Sequence, residues 1–383
     1  MSFEPKSKKR RIFLKTAVTS LSGMLLPSVV KAKKSKSILS IGYLPITDSA
    51  PLLIAHALGY FSKEGLAIKR PVMVRSWKVL TESFLTGKFD LTHMLFPIPV
   101  WMRFKQKIPV KVLAWNHTNG SAITVDKNSE IKGFKDLAGK QMAVPSWYSM
   151  HNLLLQLGIK TMGLKAVIKP QSAVLNPHEV NLFILPPPEM PTALLGGKID
   201  GFIVAEPFNA LAQLKLKARI MRFSGDIWKD HPCCVVVCNE NLIKQESATV
   251  QKAVNAIVKA QLWLTSNPEE AAHLLSRDGE GYLPVSKKVL GRVFSKPLKS
   301  SLIHPEWDIK RIGFQPYPFP SATEFIIRQM KETVVEGNID FLKGLNPYAA
   351  TEELVDDSFV LKAIEETDGI DKPLTRKEIV EIS

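Results

Sequence analysis

The sequence predicts an α/β protein of two similar lobes facing each other across a cleft. Three observations carry this. A fourteen-residue unit occurs twice, strand-like and helix-like segments alternate from Ile38 to Val204, and the alternation breaks and restarts near Val125. Residues 84–97 read Phe-Leu-Thr-Gly-Lys-Phe-Asp-Leu-Thr-His-Met-Leu-Phe-Pro, and residues 194–207, offset by 110 positions, read Leu-Leu-Gly-Gly-Lys-Ile-Asp-Gly-Phe-Ile-Val-Ala-Glu-Pro. In each copy an apolar helical run meets a glycine able to stop a helix in the left-handed conformation. An apolar residue and Asp90 or Asp200 follow, then a short strand that proline ends. Each copy is thus one helix–turn–strand unit of one lobe. Phe96 and Glu206, at the two strand ends, are expected to face each other as an apolar wall and a polar floor, since α/β proteins bind ligands in clefts at strand ends.

The elements follow in order. Ile38–Leu44 alternates into a strand, and Asp48–Gly59 reads as a helix with Pro51 near its start. Ile68–Val74 is a second strand, placed at an edge by Pro71. A helix over Lys78–Leu85 leads to strands at Leu91–Leu95 and Val110–Trp115. This alternation argues for a mainly parallel sheet with right-handed crossovers. Ala122–Val125 crosses into the second lobe and ends at the turn Asp126-Lys127-Asn128. The pattern then restarts with Gly139–Val144, a helix over Ser149–Gly158, a strand over Ala166–Lys169, a helix over Pro191–Leu195 and a strand over Phe202–Val204. Val235–Asn241 repeats the strand-and-turn pattern as the chain returns, so two crossings form the hinge. Amphipathic helices over 250–275 and 321–337 are expected to pack back on the first lobe. The expected division is a leader over 1–32, lobe one over 33–124, lobe two over 125–236, and the rest of lobe one with C-terminal helices over 237–383.

A chain of 383 residues allows two or three domains. Its 45% hydrophobic and 23% charged residues are ordinary for a globular protein. The formal charge is +15, of which residues 1–32 carry +6, seven Lys and Arg against Glu4, leaving +9 elsewhere. That excess suits an anionic ligand or surface, or simply solubility, because no helix face concentrates it. No basic stripe is interleaved with aromatics, which argues against a nucleic-acid partner.

Lys9-Arg10-Arg11-Ile12-Phe13-Leu14-Lys15 resembles the twin-arginine export consensus. The modest apolar run Ala17–Val30 and the small-residue site Val30-Lys31-Ala32 follow it. The run is too short and polar to span a membrane. The expectation is a periplasmic protein exported by the twin-arginine route.

The cysteines are Cys233, Cys234 and Cys238. Along a strand Cys234 and Cys238 share a face but lie about 13 Å apart, too far to bind one ion together with His231. No metal site and no cofactor are expected. Trp77, after a strand, offers a flat apolar wall and one N–H to a planar anion or a methylated cation, or else covers a sheet edge. Ser146, Ser149 and Met150 lie between a strand and a helix, where a serine can cap the helix and also donate to an anion. Ser121 follows Asn119-Gly120 at the first crossing, as a donor into the cleft or as part of a plain turn. Glu206 could bind a cation, hydrogen-bond a ligand, latch the lobes or form a hinge salt bridge. There is no Gly-x-Ser-x-Gly, no Walker loop and no His-Glu-x-x-His, so no enzyme is expected.

Taken together, Tyr43–Leu52, Ser76-Trp77, Leu194–Pro207 and Trp228–Pro232 resemble the periplasmic substrate-binding proteins of ABC importers for nitrate, bicarbonate, sulfonates and taurine, over about residues 38–345. The nitrate/bicarbonate branch is the nearest. The resemblance implies a type II periplasmic-binding-protein fold. It also implies a monomer that captures a small polar or anionic solute and delivers it to an ABC permease and ATPase. In that branch a Trp matching Trp77 lines the site, and a loop matching Ser149-Met150-His151 binds the oxyanion. The branch has Gln where this chain has Ser121, and Glu plus a charged residue where it has Cys233 and Cys234. The contact made there is lost or replaced, which points away from nitrate and from bicarbonate with a bound cation. A less charged, larger or sulfur-containing molecule fits as well, and Cys234 is expected at the ligand. Two alternatives share the fold: a pyrimidine-precursor synthase, which Cys233-Cys234 faintly echoes, and a sensor domain that signals through a partner.

Overall fold

The structure, a computed structural model, describes residues 38–367 and 375–382. The export signal expected over 1–32 lies outside them. The chain contributes strands β1 (Ile41–Tyr43), β2 (Val72–Met73), β3 (Leu91–Leu95) and β4 (Val110–Trp115) to a first sheet. It crosses and builds a second sheet from β5 (Ser121–Val125), β6 (Gln141–Val144), β7 (Lys165–Val167), β8 (Glu179–Ile184), β9 (Gly201–Ala205) and β10 (Arg219–Phe223). It then returns as β11 (Cys234–Asn239). The orders are β2-β1-β3-β11-β4 and β7-β8-β6-β9-β5-β10. Apart from the extra edge strand β7, the two orders are equivalent. In each sheet the crossing strand is antiparallel to both neighbours, while the strands beyond are parallel. Each lobe therefore holds one interior strand from the far side of the hinge.

The repeated unit has a physical reason. Gly87 (φ 72°) and Gly197 (φ 64°) adopt the left-handed conformation, after the helices Trp77–Leu85 and Met190–Leu195. Asp90 Oδ2 accepts from the N–H and the hydroxyl of Ser40, each at 2.7 Å, and the Asp90 N–H returns a bond to Ser40 O. Asp200 Oδ2 accepts from Gln141 N at 2.7 Å, and its N–H donates to Gln141 O. Both aspartates pin an incoming strand to the start of its parallel neighbour and so set the register that buries one face. Phe89 and Ile199, one residue earlier, are buried beneath.

Several expected elements differ. The strand expected over Ile68–Val74 is two short pieces, Ala67–Ile68 and Val72–Met73, interrupted near Pro71, which has no N–H for a ladder. The strands Glu179–Ile184 and Arg219–Phe223 were not expected. The former carries polar Glu179 and Asn181 in its first half, after a Pro- and Asn-containing stretch, and the latter is interrupted by Arg219 and Arg222. The helix expected over 250–275 is preceded by a short helical segment from Glu240 that kinks at Glu246 (φ −134°, ψ 42°), and it ends at Ser266, with a further helix starting at Pro268. Helices α1 (Ala50–Ala57), α2 (Trp77–Leu85), α3 (Met150–Thr161), α4 (Glu240–Ser266) and α5 (Pro320–Met330) position the site. As expected, α4 packs on α1 in the first lobe. Helix α5 contacts both the first-lobe helix Pro97–Phe104 and α3 of the second lobe, so it straddles the lobes rather than covering one.

At the hinge the two crossings run side by side. Asn116 N donates to Cys234 O at 2.9 Å and Asn119 N to His231 O at 2.9 Å. A third segment, Ile312–Gly313, pairs antiparallel with Thr118–Asn119. Among the described residues no helix is long and apolar enough to cross a membrane.

Candidate functional site in the interlobe cleft

A cavity of about 560 Å³ opens between the lobes. Trp77, Ile98 and Trp101 wall it from the first lobe, and Ser146, Tyr148 and Ile184 from the second. Ser76 caps α2 by accepting from Val79 N at 3.3 Å, which fixes Trp77 as the first helical residue. The Trp101 and Tyr148 rings stack across the cleft at 5.6 Å. A second cavity of about 510 Å³ lies beside the hinge, but its walls come from the hinge and the C-terminal segment alone.

Beside the cavity, beneath Trp77, is a buried polar cluster. The Trp77 ring lies edge-on to His93, with centroids 5.5 Å apart. His93 Nε2 accepts from Leu44 N at 3.1 Å. Asp48 follows β1, His117 follows β4, Ser121 opens β5, and Cys233-Cys234 lead into β11. Because β11 is antiparallel to β3 and β4, its start meets their ends, and these residues converge. His117 Nε2 lies 2.9 Å from Asp48 Oδ2. The Cys234 and Cys233 thiols point at the same oxygen, at 3.2 Å and 3.6 Å. From the second lobe His151 meets the Ser121 hydroxyl through Nε2 at 2.9 Å, and that hydroxyl is 3.9 Å from Cys233 Sγ. All of these side chains are buried. Asp48 Oδ1 and the Nδ1 atoms of His93, His117 and His151 find no hydrogen-bond partner.

The electrostatics of the cluster are uneven. Burial pushes the Asp48 carboxyl up, but the adjacent His117 imidazole outweighs it and holds Asp48 below the usual carboxylate range. Burial pushes His117 down, and Asp48 pulls it up to about 10. With no such partner, burial depresses His93 to about 3 and His151 to about 4, so both are neutral. Burial raises both thiols. Hydrogen bonds from Cys234 and His117 nevertheless bring Cys233 below an ordinary thiol, whereas Cys234 stays well above one.

The structure distributes the sequence-derived candidates unevenly. Trp77 and Ser146 line the cavity, and Ser121 and Cys234 belong to the buried cluster. The Ser149 hydroxyl is already committed: it donates to Ser146 O at 2.6 Å and caps α3 by accepting from Asn152 N at 3.0 Å. Met150 is buried in the apolar core. The Glu206 carboxylate does not face the cleft as a floor. Arg311 Nε donates to its Oε1 at 2.7 Å, Ala210 N donates to Oε2 at 2.9 Å, and both side chains are buried. Its backbone carbonyl accepts from Thr47 N and the Thr47 hydroxyl at 2.8 Å and 3.1 Å, joining the lobes. Phe96 is likewise in the core rather than an open wall. Asp48, His93 and His117 were not singled out from the sequence as site residues.

Residues 32–277 match the model of the NMT1-like family. The chain belongs to that family. This NMT1-like chain is 31% identical over 259 residues to the nitrate/nitrite binding protein NrtA of a Nostoc species, covering 62% of this chain and 56% of that one. It is 29% identical over 230 residues to the nitrate import ATP-binding protein NrtC of Synechocystis, covering 58% and 34%. The NMT1-like chain thus spans about half or less of the length of these curated relatives. The crystal structure of the periplasmic nitrate-binding protein NrtA from Synechocystis superposes with a TM-score of 0.68 at 17% identity, covering 86% of this chain and 89% of that one. The two-lobed periplasmic-binding-protein fold follows.

Proposed function

We propose that the protein is the exported solute-capturing component of an ABC importer, binding a small polar or anionic molecule in the interlobe cleft and passing it to a permease–ATPase pair. One observation carries the reading. The cavity is lined by Trp77 of one lobe and Ser146 of the other, and Trp77 packs on His93 beside the buried cluster of Ser121, His151, Asp48, His117, Cys233 and Cys234, so groups from both lobes meet at the cleft. The lobes would close because their combined contacts with the solute exist only in the closed state. The NrtA and NrtC relatives support a transport role. The missing charged residue after His231-Pro232 favours a weakly charged or sulfur-containing solute over nitrate.

The test is a thermal-shift panel on the full chain with nitrate, bicarbonate, sulfonates, sulfur oxyanions and pyrimidines, followed by calorimetry on any hit. A ligand at a hundred times its Kd should add about 2.7 kcal/mol of stability, and Trp77→Ala should abolish the shift. A panel in which no solute raises the melting temperature would overturn the reading.

A further inference from the structure

We infer that Asp48, His117, Cys233 and Cys234 form a metal site for a thiophilic cation of the zinc(II) class. One ligand atom from each residue lies within 4.8 Å of all the others, and all four side chains are fully buried. Tetrahedral zinc, with Zn–S about 2.3 Å and Zn–N or Zn–O about 2.0–2.2 Å, spaces its ligands about 3.3–3.8 Å apart. The contacts of Asp48 Oδ2 with His117 Nε2 and the Cys234 and Cys233 sulfurs are 2.9, 3.2 and 3.6 Å. These three contacts lie within a few tenths of an ångström of zinc spacing, and the remaining pairs, all within 4.8 Å, close to it with side-chain shifts of up to about 1 Å.

Hydrogen bonding alone leaves the cluster badly served. Three groups crowd Asp48 Oδ2 while Oδ1 has no partner. His117 Nε2 is asked both to give a proton to Asp48 and to accept one from Cys234 N, 3.2 Å away. A cation relieves the crowding at Asp48, since a carboxylate oxygen, an imidazole lone pair and two sulfurs are all electron-pair donors, and the Cys234 N–H then gives up His117 as its acceptor. Two thiolates and an imidazole favour zinc or another soft or borderline ion over calcium or magnesium. Binding is not a redox step. Two S–H bonds and the Nε2–H bond of His117 release three protons to solvent; two metal–sulfur bonds, one metal–nitrogen bond and one metal–oxygen bond form, so that one carboxylate, one neutral imidazole and two thiolates face the dication. Asp48 comes from the loop after β1, His117 from the outgoing crossing and the cysteines from the returning one. The ion would tie all three at the hinge, one hydroxyl away from His151 of the second lobe. This inference does not rest on the transport reading.

The full chain, reduced with a phosphine, stripped with a chelator and shown to carry free thiols, is titrated with cobalt(II) and then zinc. One equivalent of cobalt should develop thiolate-to-metal charge-transfer absorption with intense four-coordinate d–d bands, and zinc should bleach both. Cys233→Ser/Cys234→Ser should abolish the signal, and Asp48→Asn should weaken binding by at least about tenfold. Cys238→Ser should leave it intact, because the Cys238 thiol points to its neighbour's carbonyl, Asn239 O, at 3.6 Å. Absence of the charge-transfer band at one equivalent, or its survival in the double variant, overturns the site. Should the double variant not fold, zinc-edge absorption of the wild-type chain counts the sulfur neighbours: two support the site and fewer overturn it. Cobalt absorption reads the metal without a solute, so a chain that fails the solute panel yet binds cobalt loses only the transport reading.

Discussion

Arg311→Met should destabilise the protein strongly, because it strands a buried carboxylate. Arg311 meets Glu206 Oε1 through Nε at 2.7 Å and Nη2 at 2.5 Å, and its Nη1 donates to Gln213 at 3.1 Å. The two side chains are 3% and 0% exposed. Removing the cation leaves Glu206 with only the Ala210 N–H, and breaking a buried pair on one side costs about 3–5 kcal/mol. At about 2.1 cal/mol/K per residue, the compact unit spanning residues 36–383 has an unfolding entropy of ~0.7 kcal/mol/K. The melting temperature should therefore fall by ~4–7 °C if the unit unfolds cooperatively. Glu206→Gln/Arg311→Met should recover most of that loss, since no buried charge is then unpaired. Differential scanning calorimetry at neutral pH reads both variants. A single variant melting within about 1 °C of wild type, or a double variant no better than the single, would refute the argument.

Two further outcomes follow from packing and from protons. Gly42→Ala should destabilise by about 1–3 kcal/mol, because an added Cβ would stand 2.2 Å from the buried ring of Phe89; urea titration checks this, and an unchanged midpoint would mean the ring yields freely. His93 and His151 titrate near 3 and 4 when folded, against about 6.5 when unfolded. The unfolded chain therefore binds more protons between about pH 4 and 6.5. Their contribution is fully present above pH 6.5 and is lost as pH falls through that window. Melting temperatures should decline steadily from pH 6.5 to 4, and His151→Gln should flatten the slope. A profile unchanged by that variant would show that His151 does not titrate as described.

The two-lobed plan was legible because each lobe prints the same signal: a glycine in the left-handed region and an aspartate that grips the next strand. Gly87-Lys88-Phe89-Asp90 and Gly197-Lys198-Ile199-Asp200 are local motifs, and local physics writes them into adjacent residues. The cleft residues Trp77 and Ser146 were legible for the same reason, sitting where a strand gives way to a helix. Ser149 and Glu206 each kept two readings open, because a cap and a buried ion pair use the same atoms as a ligand contact. The structure shows the cap and the ion pair, whose partner Arg311 is too distant in sequence to be named in advance. The Asp48–His117–Cys233–Cys234 cluster was hidden by topology. Cys234 and Cys238 lie too far apart along one strand to share an ion, and the neighbours of Cys234, Asp48 and His117, come from the segments after other strands. Only the antiparallel insertion of β11 between β3 and β4 brings the cysteines to the ends of those strands. Once that insertion is known, residues just beyond β1 and β4 are the place to look for donors.

The exchanged interior strands also dictate how the molecule can be assembled. Until Cys234–Asn239 has been made, β3 and β4 have no strand between them, and the first sheet carries an open slot along its middle. A chain cut after Pro232 should therefore expose two unpaired strand edges, bind extended peptides and aggregate. Supplying a β11 peptide in trans should rescue its solubility. The lobe that starts first in the sequence is thus the last to be finished.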